Sequence, residues 1–225
     1  MNKIKVFSPG ASGTRFLTNI LEKSLPSNGT TIEQKGPTHL PFNVLQQNYI
    51  DNFQKIIFIY ADPRNVFLSI CKKDMQKRNR HLIHLGYLGT RNIPSECIKK
   101  ESQAFHRLSI QAGSFPGVEI KLIQKTQSFS GLETHFNSWL SANCSIPIAF
   151  VKYEHLPNVI DKISDFINVT EPVKDKIHKR IKEKWNRRNS EYINHNCQEK
   201  LEQLFTPLLN IQKKIPSFWI KEPFK

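Results

Sequence analysis

The run Ser8-Pro9-Gly10-Ala11-Ser12-Gly13-Thr14-Arg15 follows the apolar stretch "IKVF" and leads into a helical pattern. A turn of small residues into a helix offers backbone N–H groups and the positive dipole end to an anion, and its glycines let the chain approach a phosphate closely. Ser12 and Thr14 add hydroxyl donors, and Arg15 adds a cation. A second chemical group is His39 in "THLP" (38 to 41), an imidazole that can take a hydroxyl proton at neutral pH. Lys35, Arg64, Arg187 and Arg188 are further cations that an anionic ligand could use. Each has a plainer reading. Ser12 can cap a helix, His39 can satisfy a turn before Pro41, Arg64 can sit on a helix surface, and Arg187 and Arg188 can form a solvated helix end.

The loop is not of the GxxxxGK[ST] form, because Gly10 and Gly13 stand too close together and Arg15 follows Thr14 where Lys-Ser/Thr would be required. No Mg²⁺-holding Ser/Thr is specified, and no metal site is expected. Cys71, Cys97, Cys144 and Cys197 show neither CxxC spacing nor a neighbouring histidine cluster, which argues for reduced structural thiols.

The elements that must position these groups alternate. "IKVF", "KIIFIYA" (55 to 61) and "IPIAFVKY" (146 to 153) are continuous apolar runs, which read as buried strands of a parallel sheet, with "GVEIKLIQ" (117 to 124) a weaker candidate. Phe16, Leu17, Ile20, Leu21 and Leu25 form one helical face, and Val159, Ile160, Ile163, Phe166 and Ile167 another. "NVFLSICKKDMQKR" and "GLETHFNSWLSAN" also read as helices. Strand, helix, strand, helix predicts a single α/β domain over 1–210 with a parallel sheet flanked by helices. The stretch 82–116 reads as an insertion near a site, and 211–225, without periodicity, as a loosely packed C-terminal extension.

The net charge of +14 calls for an anionic partner. Basic residues gather in "CKKDMQKRNRH" (71 to 81) and "VKDKIHKRIKEKWNRR" (173 to 188). No apolar run approaches the ~20 residues of a membrane span, and the N-terminus lacks the apolar core of a signal peptide, so a cytoplasmic protein is expected.

In this order the motifs resemble sulfotransferases that use 3′-phosphoadenosine 5′-phosphosulfate (PAPS). "GASGTRF" is similar to their phosphosulfate loop, PKSGTTW or RKGGTR. "THLP" resembles their KTHLP element, and "KIIFIYADPRNVFLSI" their KIIYxxRDPRDVxxSx segment. "HFNSWLSANCSIPIAFVKYEHL" resembles their late helix, strand and YEDL turn. The likeness covers about two-thirds of the chain.

The resemblance implies a P-loop-like α/β fold and a PAPS-dependent transferase with no metal, leaving 3′-phosphoadenosine 5′-phosphate (PAP) as product. It implies His39 as general base, and Gly10, Ala11, Ser12, Gly13, Thr14, Arg15 and Phe16 as the cradle for the 5′-phosphosulfate. It further implies Ser69 on the 3′-phosphate and Tyr153 near the adenine. As plain alternatives, Ser69 is a helix-face hydroxyl and Tyr153 a core aromatic. The acceptor is then a small-molecule or glycan hydroxyl, on a polar or anionic molecule.

Departures accompany the likeness. Ala11 stands where many members carry a cation, and Ala61 in "YADPRN" stands where RDPRD has its first arginine. Arg15 and Lys35 are the cations that could serve the transferring group instead, with Arg64, Arg187 and Arg188 available to the nucleotide phosphates. "KEKWNRRNSEY" (182 to 192) takes the place of the family's RxGxxGxW loop without its glycines. The alternative is a sulfotransferase-like protein that binds a nucleotide or polyanion without transfer. Nucleic-acid binding, which only the charge suggests, ranks last, since no aromatic RNA motif or helix-turn-helix signature is present.

Overall fold

The protein is described from a computed structural model, covering residues 2–10, 12–25, 29–34, 38–39, 42–66, 130–185 and 198–224. The apolar runs form strands: β1 (Asn2–Phe7), β3 (Lys55–Tyr60) and β4 (Ile148–Lys152). They are buried on both faces, with Ile4, Val6, Phe7, Ile56 to Tyr60 and Ile148 to Val151 all at most 2% exposed. That explains their unbroken hydrophobicity. Between β1 and β3 comes β2 (Thr30–Ile32), and β5 (Phe218–Lys221) ends the order.

The sheet runs β2-β1-β3-β4-β5, with β2, β1, β3 and β4 parallel and β5 antiparallel to β4. Helices cover both faces. On one face α1 (Thr14–Ser24), α4 (Ile160–Phe166) and α5 (Glu171–Trp185) pack Phe16, Leu17, Ile20, Leu21, Ile163, Ile177 and Ile181 onto Ile4, Val6, Ile57, Ile59 and Val151. On the other, the four-residue α2 (Gln47–Ile50), α3 (Ser130–Leu140) and α6 (Gln198–Lys213) bring Ile50, Phe136, Trp139, Phe205 and Leu208 onto Phe7, Phe58, Tyr60 and Phe150. The fold is the expected α/β domain.

The segment 211–225 departs from its expected loose packing. It completes α6 and supplies β5, whose Trp219 ring lies 4.9 Å from that of Phe150. A four-residue antiparallel edge strand needs no continuous apolar run, and in "FWIK" Trp219 is exposed while Phe218, Ile220 and Lys221 are only partly buried. The basic stretch 173 to 188 begins as an ordinary amphipathic helix: Val173, Ile177 and Ile181 face the core, while Lys174 pairs with Asp165 and Glu171. The strand candidate 117–124, the insertion 82–116, the basic run 71–81 and nearly all of the helix expected after β3 lie outside the described residues. Residues 63–66 are helical at that helix's start. Among the described residues no helix is long and apolar enough to cross a membrane.

Candidate active site

The chain leaves β1 toward the face that carries α1, whereas after β3 it turns to the opposite face, where Val66 joins the cluster around Phe58. Connections that diverge in this way open a crevice at the carboxyl ends of adjacent strands, the usual ligand position in an open α/β sheet. The loop 8–13 stands at that point.

Its shape is set by Gly10 at φ 92° and Gly13 at φ 81°, both left-handed conformations that glycine adopts without strain. Gly13 is the N-cap of α1 and makes no side-chain cap; Leu17 N–H donates to its carbonyl at 2.9 Å. Ser12 therefore does not cap the helix. Its hydroxyl turns back to donate to the Gly10 carbonyl at 2.9 Å, locking the turn from inside. The first turn of a helix presents backbone N–H groups that no preceding turn satisfies, and in α1 those of Thr14 and Arg15 are donors an anion could use. Its Arg15 is exposed and Phe16 is buried.

Ser8, at the end of β1, is the hub of the site and was not among the residues the sequence singled out. Fully buried, its hydroxyl oxygen receives the Gly10 N–H at 3.0 Å and the Thr14 hydroxyl, and lies 3.1 Å from His39 Nδ1. The signal that could have found it is position alone: the first polar residue beyond a buried parallel strand faces the crevice.

His39 is held from several sides. Ser8 N–H donates to the Thr38 carbonyl at 2.9 Å, and the Ser8 carbonyl lies 3.3 Å from His39 Nδ1. Beyond the histidine, Phe42 N–H donates to Ser138 Oγ at 3.0 Å and the Phe42 ring meets Trp139 edge-on at 5.3 Å, pinning the segment to α3. Burial lowers the imidazole's pKa below its ordinary value; the Ser8 carbonyl opposes this, and the positive charges of Lys5 and Arg15 add to it. His39 is thus kept neutral and able to accept a proton. Lys5 is itself fully buried on β1, where burial lowers its pKa against the raising pull of Glu33.

Behind the loop, Tyr153 follows the end of β4 and fits against Gly13, where a Cβ would overlap its ring. Phe16 and Trp185 complete an aromatic cluster with it, at 6.3 and 4.9 Å between ring centroids. Trp185 closes α5 just before Arg187 and Arg188, and it too escaped the sequence reading.

The turn after β3 is built differently. Asp62 N–H donates to Glu154 Oε1 at 2.6 Å, tying the "DPR" and "YEHL" segments together. Arg64 points back to Asp62, with Nε at 2.9 Å and Nη2 at 2.6 Å from its two carboxylate oxygens, and reaches Glu202 at 3.9 Å. Ala61 is 4% exposed. With Pro9, Pro63, Val66 and Phe136 it borders a cavity of about 10 Å³, and its carbonyl accepts from Gln212 Nε2 at 3.3 Å.

The structure therefore brings Gly10, Ser12, Gly13, Thr14, Arg15, Phe16, His39 and Tyr153 around one loop and sets Arg64 in an ion pair at the neighbouring strand end. Ala11, Lys35, Ser69, Arg187 and Arg188 lie outside the described residues.

The arrangement can bind an oxyanion at a helix start and present a neutral imidazole beside it. A scan against protein families returns the sulfotransferase domain over residues 18–207, beginning just past the loop itself. No curated protein and no solved structure gives a significant match. The matched region spans most of the sheet and its covering helices, and on that ground the chain belongs to the sulfotransferase family.

Proposed function

We propose that the protein transfers a sulfuryl group from PAPS to a hydroxyl acceptor, with His39 as general base. The observation that carries this reading is the docking of His39 directly onto Ser8 of the phosphate-type loop, Nδ1 to Oγ at 3.1 Å, so that base and anion cradle form one unit.

In this reading the N–H groups and hydroxyls from Gly10 to Thr14 hold the 5′-phosphosulfate, with Phe16 and Tyr153 backing the loop. PAPS supplies an activated sulfuryl group whose bond to the phosphate oxygen breaks as a new S–O bond forms to the acceptor. His39 Nε2 takes the acceptor's hydroxyl proton, and PAP leaves carrying the negative charge. Sulfuryl transfer, like phosphoryl transfer, relies on positioning and charge stabilisation. With Ala11 and Ala61 lacking charge and Arg64 committed to Asp62, that role falls to Arg15 and Lys35, with Ser69, Arg187 and Arg188 assigned to the 3′-phosphate.

The acceptor is a hydroxyl on a polar or anionic small molecule or glycan, in keeping with the net charge of +14. The reading places the chain in the cytoplasm, and the free, buried thiol of Cys144 accords with a reducing compartment. A second reading, nucleotide binding without transfer, draws on the buried Ala61. The test is transfer of ³⁵S from labelled PAPS to a panel of sugar and small-molecule hydroxyls by the wild type and by His39→Ala. Transfer that vanishes in His39→Ala supports the proposal. PAP binding without transfer to any acceptor supports the second reading.

A further inference from the structure

The hydrogen bonds around Ser8 connect the anion cradle to the base through a chain of rotatable protons. Ser8 Oγ meets three groups: the Gly10 N–H at 3.0 Å, the Thr14 hydroxyl, and His39 Nδ1 at 3.1 Å. A serine hydroxyl has one proton to give and two lone pairs to receive with. The same heavy-atom positions therefore admit two complete circuits.

In the first, Gly10 N–H and Thr14 O–H both donate to Ser8, filling its lone pairs. Ser8 then directs its own proton to His39 Nδ1, and the ring proton sits on Nε2. An imidazole in this form has no lone pair to offer an acceptor hydroxyl at Nε2. In the second, Thr14 donates outward to an anion in the loop, Ser8 donates to Thr14 Oγ1, and His39 Nδ1–H donates to Ser8, with the Ser8 carbonyl at 3.3 Å as a further acceptor. Nε2 is then bare. Ser8 Oγ uses its one proton and both lone pairs in either circuit, and what selects between them is where Thr14 sends its proton.

We infer that Ser8 is a positioning residue that couples the two halves of the site: an oxyanion accepting the Thr14 hydroxyl proton switches His39 from the Nε2–H to the Nδ1–H tautomer, arming the base only when the donor is bound. No net proton is taken up or lost. The ring releases its Nε2 proton to water and takes one from water at Nδ1, while the two hydroxyls keep their protons and only rotate. The consequence is that the base is withheld until the nucleotide is in place. This inference rests on the donor-site reading above.

The experiment is ¹⁵N NMR of the imidazole nitrogens in the histidine-labelled full chain, above the pH at which His39 titrates, with and without PAP. The His39 signals are assigned as those missing from His39→Asn, and PAP binding is followed by calorimetry on the same sample. The expected result is an Nε2–H imidazole in the free protein and an Nδ1–H imidazole in the complex. In Ser8→Ala only the backbone carbonyl remains as partner for Nδ1, so the ring should be Nδ1–H in both states, which a merely structural role for Ser8 does not produce. PAP binding with the same tautomer before and after overturns the coupling while leaving the donor site standing. Absence of PAP binding overturns the donor-site reading and the coupling with it.

Discussion

The ring of Tyr153 occupies the space that a side chain at Gly13 would need. Gly13 also holds φ at 81°, so its lack of a Cβ meets two separate demands, the turn into α1 and the close approach of the strand-end aromatic. Gly13→Ala should lower unfolding free energy by at least ~2 kcal/mol, combining left-handed strain with the clash. Urea denaturation of Gly13→Ala and of Gly13→Ala/Tyr153→Ala separates the two, since truncating the ring relieves the overlap and leaves the backbone strain.

Ala61, where the resembled RDPRD segment has its first arginine, is closed in by Gln212, Pro9 and Phe136. Ala61→Arg should therefore cost stability, about 1–3 kcal/mol by overpacking, and should not tighten PAP binding. Thermal unfolding and calorimetry on that variant would expose an error if affinity rose tenfold with the melting temperature unchanged.

The lowered pKa of His39 has a signed consequence. Only the neutral ring accepts a proton, so kcat/KM should rise with pH along a limb lying below the ordinary histidine value of 6.5. Arg15→Gln removes one of the positive charges that disfavour the imidazolium and should move that limb to higher pH. Stability follows the same sign. The folded ring binds its proton less readily than the unfolded one, so protection is lost as pH falls through 6.5, and His39→Gln flattens that dependence. Parallel pH profiles of rate and of urea midpoint check both statements.

The last residues hold the edge of the sheet. Lys152 N–H donates to the Ser217 carbonyl and Phe224 N–H to that of Cys144, both at 2.9 Å, and Trp219 packs on Phe150. Removing residues 217–225 should cost at least ~3 kcal/mol, because it strips a strand and bares a buried neighbour. A truncated chain with an unchanged urea midpoint would contradict the assignment of β5 to the core sheet.

What the sequence made legible follows from burial. β1, β3 and β4 are enclosed by helices on both sides, so their residues are continuously apolar and stand out. In contrast, β2 has only Thr30, Thr31 and Ile32, and β5 sits at an edge with Trp219 partly open to solvent, so neither leaves a periodic trace. The loop was legible from its glycines. Ser8 was not, because its importance lies in joining its own loop to His39, 31 residues away, a contact that only tertiary structure creates. Likewise the tie between Arg64 and Asp62 depends on a turn geometry that composition does not reveal.

The central claim is a PAP-type nucleotide site at the end of β1, and calorimetric titration with PAP at moderate salt, with ADP as the control ligand, tests it most directly. The account predicts micromolar or tighter binding that depends on the 3′-phosphate and weakens in Gly13→Ala. Equal, negligible heats for PAP and ADP would contradict it.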